Sequence, residues 1–199
     1  MQPVILASQS PRRKQLLEWA EIPFTILVKE TAETYPVDLD KEHIAIHIAV
    51  NKAEAVNNAI TKNEFPEIEN SMQHLPILAA DTIVVLNDEI IGKPRDREDA
   101  IDILTRLSGK FHQVITGVAL FSKGEFITFA DVTEVQFHDI TKDEIEFYVD
   151  KYKPYDKAGA YAIQEWIGVV GIHSIKGDFY NVMGLPISRV VKILNTLNE

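Results

Sequence analysis

Ile77-Leu78-Ala79-Ala80-Asp81-Thr82-Ile83-Val84-Val85-Leu86 is the longest apolar stretch of the chain, and a single acid interrupts it. A run of this kind reads as a long strand in the middle of a sheet, covered on both faces. That requirement favours an α/β architecture, in which helices supply the cover. An unpaired carboxylate inside such a strand is costly, so Asp81 needs either a cation or a task.

The rest of the chain fits that frame. Residues 4–7 form a short buried-strand candidate, and a Ser-rich turn leads to a helix with Ser10 as N-cap and Pro11 at its first position. Leu16, Leu17 and Ala20 give that helix an apolar stripe, and residues 24–28 read as a second strand. An acidic loop over residues 29–40 ends at Asp40, which caps a helix to about Ala59 with Ile44, Ile48, Lys52, Ala55 and Ala59 on one face or its border. Residues 61–76 are polar, contain two prolines and read as an inserted loop. After the long strand come a turn at Asn87-Asp88, a return strand over 89–91 and a helix over 96–107. A long hairpin spans residues 112–137, Thr141 and Glu144 form a capping box, residues 169–175 suggest a further hairpin arm, and Pro186 opens an amphipathic helix. Strands and helices alternate without repeats, which predicts one α/β domain over residues 1–199 with a partly antiparallel sheet.

Charge and residue usage narrow the chemistry. Twenty Lys and Arg against 30 Asp and Glu leave a net charge of −10, which argues against nucleic acid or an anionic membrane as partner. With no cysteine there is neither a thiolate metal site nor a cysteine nucleophile. The N-terminus lacks the basic-then-apolar order of a secretory signal and no transmembrane run is present, so the expectation is a soluble, cytoplasmic protein.

Several residues invite a functional reading. Arg12 and Arg13 fall in the first turn of a helix, where the macrodipole disfavours cations. With Ser8, Ser10 and free helix N–H groups they would make a phosphate cradle, although a solvated basic turn explains them equally well. Lys52 and Lys93 are unremarkable alone, and Ile91-Gly92-Lys93-Pro94 lacks the spacing of a P-loop. His43 and His47 have a metal-ligand spacing but no accompanying glutamate, so they read as ordinary helix histidines. Gln164, in Gly159-Ala160-Tyr161-Ala162-Ile163-Gln164, has an amide that could read a base edge, although an exposed Gln on a strand is the simpler reading.

Taken together, Leu6-Ala7-Ser8-Gln9-Ser10-Pro11-Arg12-Arg13, Ala80-Asp81-Thr82 with Gly92-Lys93-Pro94, Leu107-Ser108-Gly109 with residues 112–117, the segment 156–164, and Gly184-Leu185-Pro186 resemble the Maf family of nucleoside triphosphate pyrophosphatases over about residues 4–194. The resemblance implies an inosine-triphosphatase-like fold, an elongated mixed sheet with flanking helices and two lobes around a nucleotide cleft, and frequent homodimers. It implies hydrolysis of a nucleoside triphosphate to the monophosphate and pyrophosphate with Mg²⁺ or Mn²⁺. The chain looks like the branch acting on dTTP and UTP. By that resemblance Asp81 is the proton acceptor, Arg12, Thr82 and Gln164 set substrate choice, and Ser8, Arg13, Glu33, Lys52 and Lys93 surround the phosphates and metal. Lys52 and Lys93 would assist catalysis with Asp81, and Glu33 or Asp81 would ligate the metal. Glu165-Trp166 departs from the small residues of many relatives, and the loop over 61–76 is longer than the family leads one to expect. Two alternatives remain: a non-catalytic nucleotide-binding regulator of division, since the family has been described as a septum-formation inhibitor, and the same reaction on modified or purine nucleotides.

Overall fold

The computed structural model describes residues 2–66, 72 and 74–197. Its elements are, in chain order, β1 (Val4–Leu6), α1 (Pro11–Trp19), β2 (Phe24–Ile26), α2 (Lys41–Thr61), β3 (Ile77–Leu86), β4 (Glu89–Ile91), α3 (Arg97–Leu107) and β5 (Phe111–Ser122). They continue with β6 (Glu125–Phe137), α4 (Lys142–Tyr152), a 3-10 turn (Ala158–Ala160), α5 (Trp166–Gly171), β7 (Ile172–Lys176), α6 (Phe179–Val182) and α7 (Ile187–Thr196). The strands form a mixed seven-stranded sheet in the order β2-β1-β3-β5-β6-β7, with β4 on β3. The α/β class expected from the sequence is the class found. The chain divides into two compact units, residues 1–81 with 116–131 and 184–199, and residues 82–115 with 132–183.

In the first unit β1 runs parallel to β2 (Val4↔Phe24) and to β3 (Ile5↔Ile77). Its core joins Ile5, Ala7, Ile77 and Ala79 to Ala49, Ala53, Val56 and Ile60 of α2. The alanines let helix and sheet approach closely, and Gly117 of β5 shows how closely: a Cβ there would lie 2.2 Å from the Ala45 carbonyl carbon. Asp40 caps α2 by accepting from the His43 N–H at 2.9 Å. Fixed at its start and pressed along its length, α2 holds the register of every side chain on its border, Lys52 among them. The buried face of α1 carries Leu16 and Leu17 as expected, but Arg13 replaces Ala20 as its third buried member. Strand β2 ends at Ile26 rather than 28. Of the expected loop over 61–76, residues 67–71 and 73 lie outside the described residues.

In the second unit β3 turns into β4 through Asn87 and Asp88, at φ 50° and 70°, the pair of left-handed residues that a two-residue hairpin turn requires. Helix α4 carries the expected capping box between Thr141 and Glu144. The hairpin arm expected from residue 169 begins later. Residues 166–171 are helix α5, and only from Ile172 does β7 pair with β6. Val169 has the propensity of a strand residue but is 80% exposed, so packing on a pleated surface does not reward that preference. Among the described residues no helix is long and apolar enough to cross a membrane.

Candidate active site

Arg13 is buried in the first unit, which removes the reading of both arginines as a solvated turn. Its Nε donates to the Gly184 carbonyl at 2.7 Å and its Nη1 to Ser8 Oγ at 3.1 Å. Gly184 sits at φ 109°, a conformation that favours glycine, so the Gly-Leu-Pro turn before α7 has a concrete role as the acceptor that orients Arg13. Burial pushes the Arg13 guanidinium below its ordinary pKa and Arg12 adds to that, while the Asp81 and Glu33 carboxylates oppose it. An arginine stays cationic through such a shift. Ser8 Oγ also accepts the Ser10 N–H at 3.2 Å, so its acceptor sites are used and its own proton is the group left to meet an anion. Ser10 holds the N-cap position of α1, but its side chain makes no capping bond.

The cation that Asp81 requires is Lys52. Asp81 is 9% exposed, and Lys52 Nζ donates to its Oδ1 at 2.6 Å and to Glu33 Oε1 at 2.9 Å. One ammonium thus joins the central strand, the border of α2 and the acidic loop before it. Two carboxylates converging on one cation form an oxygen donor set of the kind that holds a hard divalent ion together with phosphate and water oxygens. Among the described residues no group of three or more His, Cys, Asp or Glu could hold a metal. His43 is engaged by Asp40 at 2.8 Å and His47 lies 3.1 Å from Asn51, in keeping with their reading as ordinary helix histidines.

Thr82, Lys93 and Gln164 belong to the second unit. Thr82 follows Asp81 in β3 and is half-buried, while Lys93 and Gln164 are exposed. Gln164 lies between the 3-10 turn and α5, not on a strand. The segment before it is tightly held: the Gly159 N–H donates to the Gly92 carbonyl at 3.1 Å, next to Lys93, and a Cβ on Gly159 would come within 2.9 Å of Val84.

Tyr161 in the same segment meets His112 at 2.7 Å between its hydroxyl and Nε2. His112 is 3% exposed, its Nδ1 has no hydrogen-bond partner, and burial pushes its pKa down to about 4. The unfolded chain takes up this proton near pH 6.5. The native state refuses it until about pH 4, so stability is full above pH 6.5 and is lost as pH falls through that window. The loss from this one group is of the order of 3 kcal/mol. Urea unfolding at pH 7.5 and 4.5 should therefore show a larger stability drop in wild type than in His112→Gln. Equal drops would mean that His112 is protonated in the folded state.

Comparison with known proteins finds a matching family and similar sequences. The family model of the Maf-like protein matches residues 3–197. A protein of Cytophaga hutchinsonii named dTTP/UTP pyrophosphatase is 47% identical, over 98% of this chain and 84% of its own length. Proteins of the same name from Phocaeicola vulgatus and Bacillus cereus are each 45% identical, over 98% of this chain and 95% of theirs. Among solved structures, the Staphylococcus aureus Ham1 protein aligns with a TM-score of 0.49 and 16% identity, over 96% of this chain and 100% of that one.

Proposed function

The chain belongs to the family of Maf-like proteins, and from that premise we propose that it hydrolyses dTTP and UTP to the monophosphate and pyrophosphate, as its relatives' name describes. The observation that supports the chemistry best is the bond from Lys52 Nζ to Asp81 Oδ1, in a unit that also fixes a buried arginine.

A triphosphate carries about four negative charges, so the protein's task is mostly neutralisation and positioning around an attack at the α-phosphorus. Arg12, Arg13 and the Ser8 hydroxyl bind phosphate oxygens, with Lys52 and Lys93 adding charge. Lys52 holds one Asp81 oxygen, and the other orients a water and takes its proton as the water attacks. Glu33 and Asp81 would hold a divalent cation, Mg²⁺ or Mn²⁺, which when bound supplies Lewis-acid polarisation of the phosphoryl oxygens. Thr82 and Gln164 select the base. The substrates are intracellular metabolites, which favours a cytoplasmic location, and the family resemblance favours a homodimer.

A non-catalytic regulator is the weaker reading, because two carboxylates around Lys52 work against anion binding unless they serve chemistry. The test is pyrophosphate release from ribo- and deoxynucleoside triphosphates with Mg²⁺ or Mn²⁺. We expect kcat/KM for dTTP and UTP to exceed that for CTP and the purine nucleotides by about tenfold or more. Metal-dependent binding without pyrophosphate release would establish the regulator instead, and a purine preference would remove the assignment of Thr82 and Gln164.

A further inference from the structure

Tyr148 of α4 is fully buried, and its hydroxyl must find partners in the interior. It finds two. It accepts the Ala162 N–H at 3.2 Å and donates to Glu165 Oε2. Residues 162 and 165 bracket Ile163 and Gln164, so one hydroxyl ties the chain on both sides of the residue assigned to read the base. The second carboxylate oxygen of Glu165 lies 3.5 Å from Lys157 Nζ, and that lysine, nearly buried, also donates to Asp156 Oδ1 at 2.9 Å. Glu165 is therefore held at both oxygens, and Lys157 ties it back to the start of the same segment.

Core filling does not account for this arrangement. A phenylalanine at 148 would occupy the same space, and what the hydroxyl and carboxylate add is direction. Reading a base edge with an amide needs the amide within about 0.5 Å and 10–20° of its productive place. Gln164 is exposed, so its placement comes through the backbone on either side of it.

We propose that Tyr148 and Glu165 are positioning residues for base selection, clamping the chain around Gln164 so that its amide meets a pyrimidine imide edge in register. The proposal rests on the pyrophosphatase reading and extends it to residues that touch neither substrate nor reacting atoms.

The test compares Tyr148→Phe, Glu165→Ala and Glu165→Gln with wild type on UTP, dTTP and CTP, alongside amide hydrogen exchange. For Tyr148→Phe and Glu165→Ala we expect kcat/KM on UTP and dTTP to fall about tenfold, mainly through KM, and on CTP by less than about threefold, so discrimination narrows. Exchange should quicken over residues 162–168. Glu165→Gln keeps an acceptor for Tyr148 and should restore most of the discrimination. If Tyr148→Phe does not fold, Glu165→Ala carries the same test from a partly exposed side chain. An equal loss on all three substrates, or an unchanged UTP-to-CTP ratio in an active protein, would overturn the proposal alone. A wild type inactive on every pyrimidine triphosphate would overturn the pyrophosphatase reading and this proposal with it.

Discussion

Asp81→Asn should lower kcat for dTTP and UTP by about a thousandfold, the size expected for loss of a positioned general base. The substitution is nearly isosteric. The amide oxygen can still accept from Lys52, and Lys52 keeps Glu33 as a carboxylate partner at 2.9 Å, so no buried charge is left alone. The folded structure should survive, and circular dichroism melting checks that it does. With the divalent cation saturating, so that its weaker hold by asparagine does not matter, KM should stay level or fall, because a negative charge facing a triphosphate has been removed. A loss confined to kcat is the signature of an interaction made in the transition state rather than in substrate binding. If pyrophosphate release stays within about tenfold of wild type, proton transfer does not pass through Asp81 and another group activates the water.

Asp81 was conspicuous in the sequence because a charge inside a run of apolar residues contradicts its surroundings. Its partner was not, since Lys52 lies 29 residues away on a helix border where lysines commonly reach solvent. Arg13 shows the same limit in sharper form. Its first-turn position allowed a phosphate site or a solvated surface, and the group that removes the second reading for Arg13 is the Gly184 carbonyl, 171 residues along the chain. Glu33 sits in an irregular loop with no period to interpret, so only the family resemblance pointed to it. The caps at Asp40 and Thr141, the Asn87-Asp88 turn and the long central strand were legible because each is specified by residues within a few positions of one another, whereas Ser10 holds its cap position without a capping bond. The start of β7 was not, because Val169 and Val170 have strand propensity but lie exposed on α5, where packing does not reward it. The Tyr148 clamp escaped the sequence reading entirely. Its only trace was Glu165, which with Trp166 departs from the family pattern at a place where base preference could be altered.

Gln164→Glu should cut kcat/KM for dTTP and UTP by about a hundredfold while leaving stability within about 0.5 kcal/mol. Uracil and thymine present an N3–H donor flanked by carbonyl acceptors, and a glutamine amide can accept the first while donating to one of the second. A carboxylate keeps the acceptor and loses the donor, which leaves a carbonyl oxygen facing a negative charge. A mismatch of this kind costs about 1–3 kcal/mol, and the upper part of that range accounts for the predicted loss. CTP should suffer less, because its N3 is an acceptor that the native amide oxygen already opposes, so the UTP-to-CTP ratio should fall with the absolute rate. Steady-state kinetics on the three nucleotides and a urea titration of both proteins measure everything required. Unchanged UTP and dTTP kinetics would remove Gln164 from base selection, and with it the purpose of the clamp around it. Since the side chain is exposed, a loss on UTP and dTTP that spares CTP, at unchanged stability, would trace to contact with the base rather than to the fold or to the added charge.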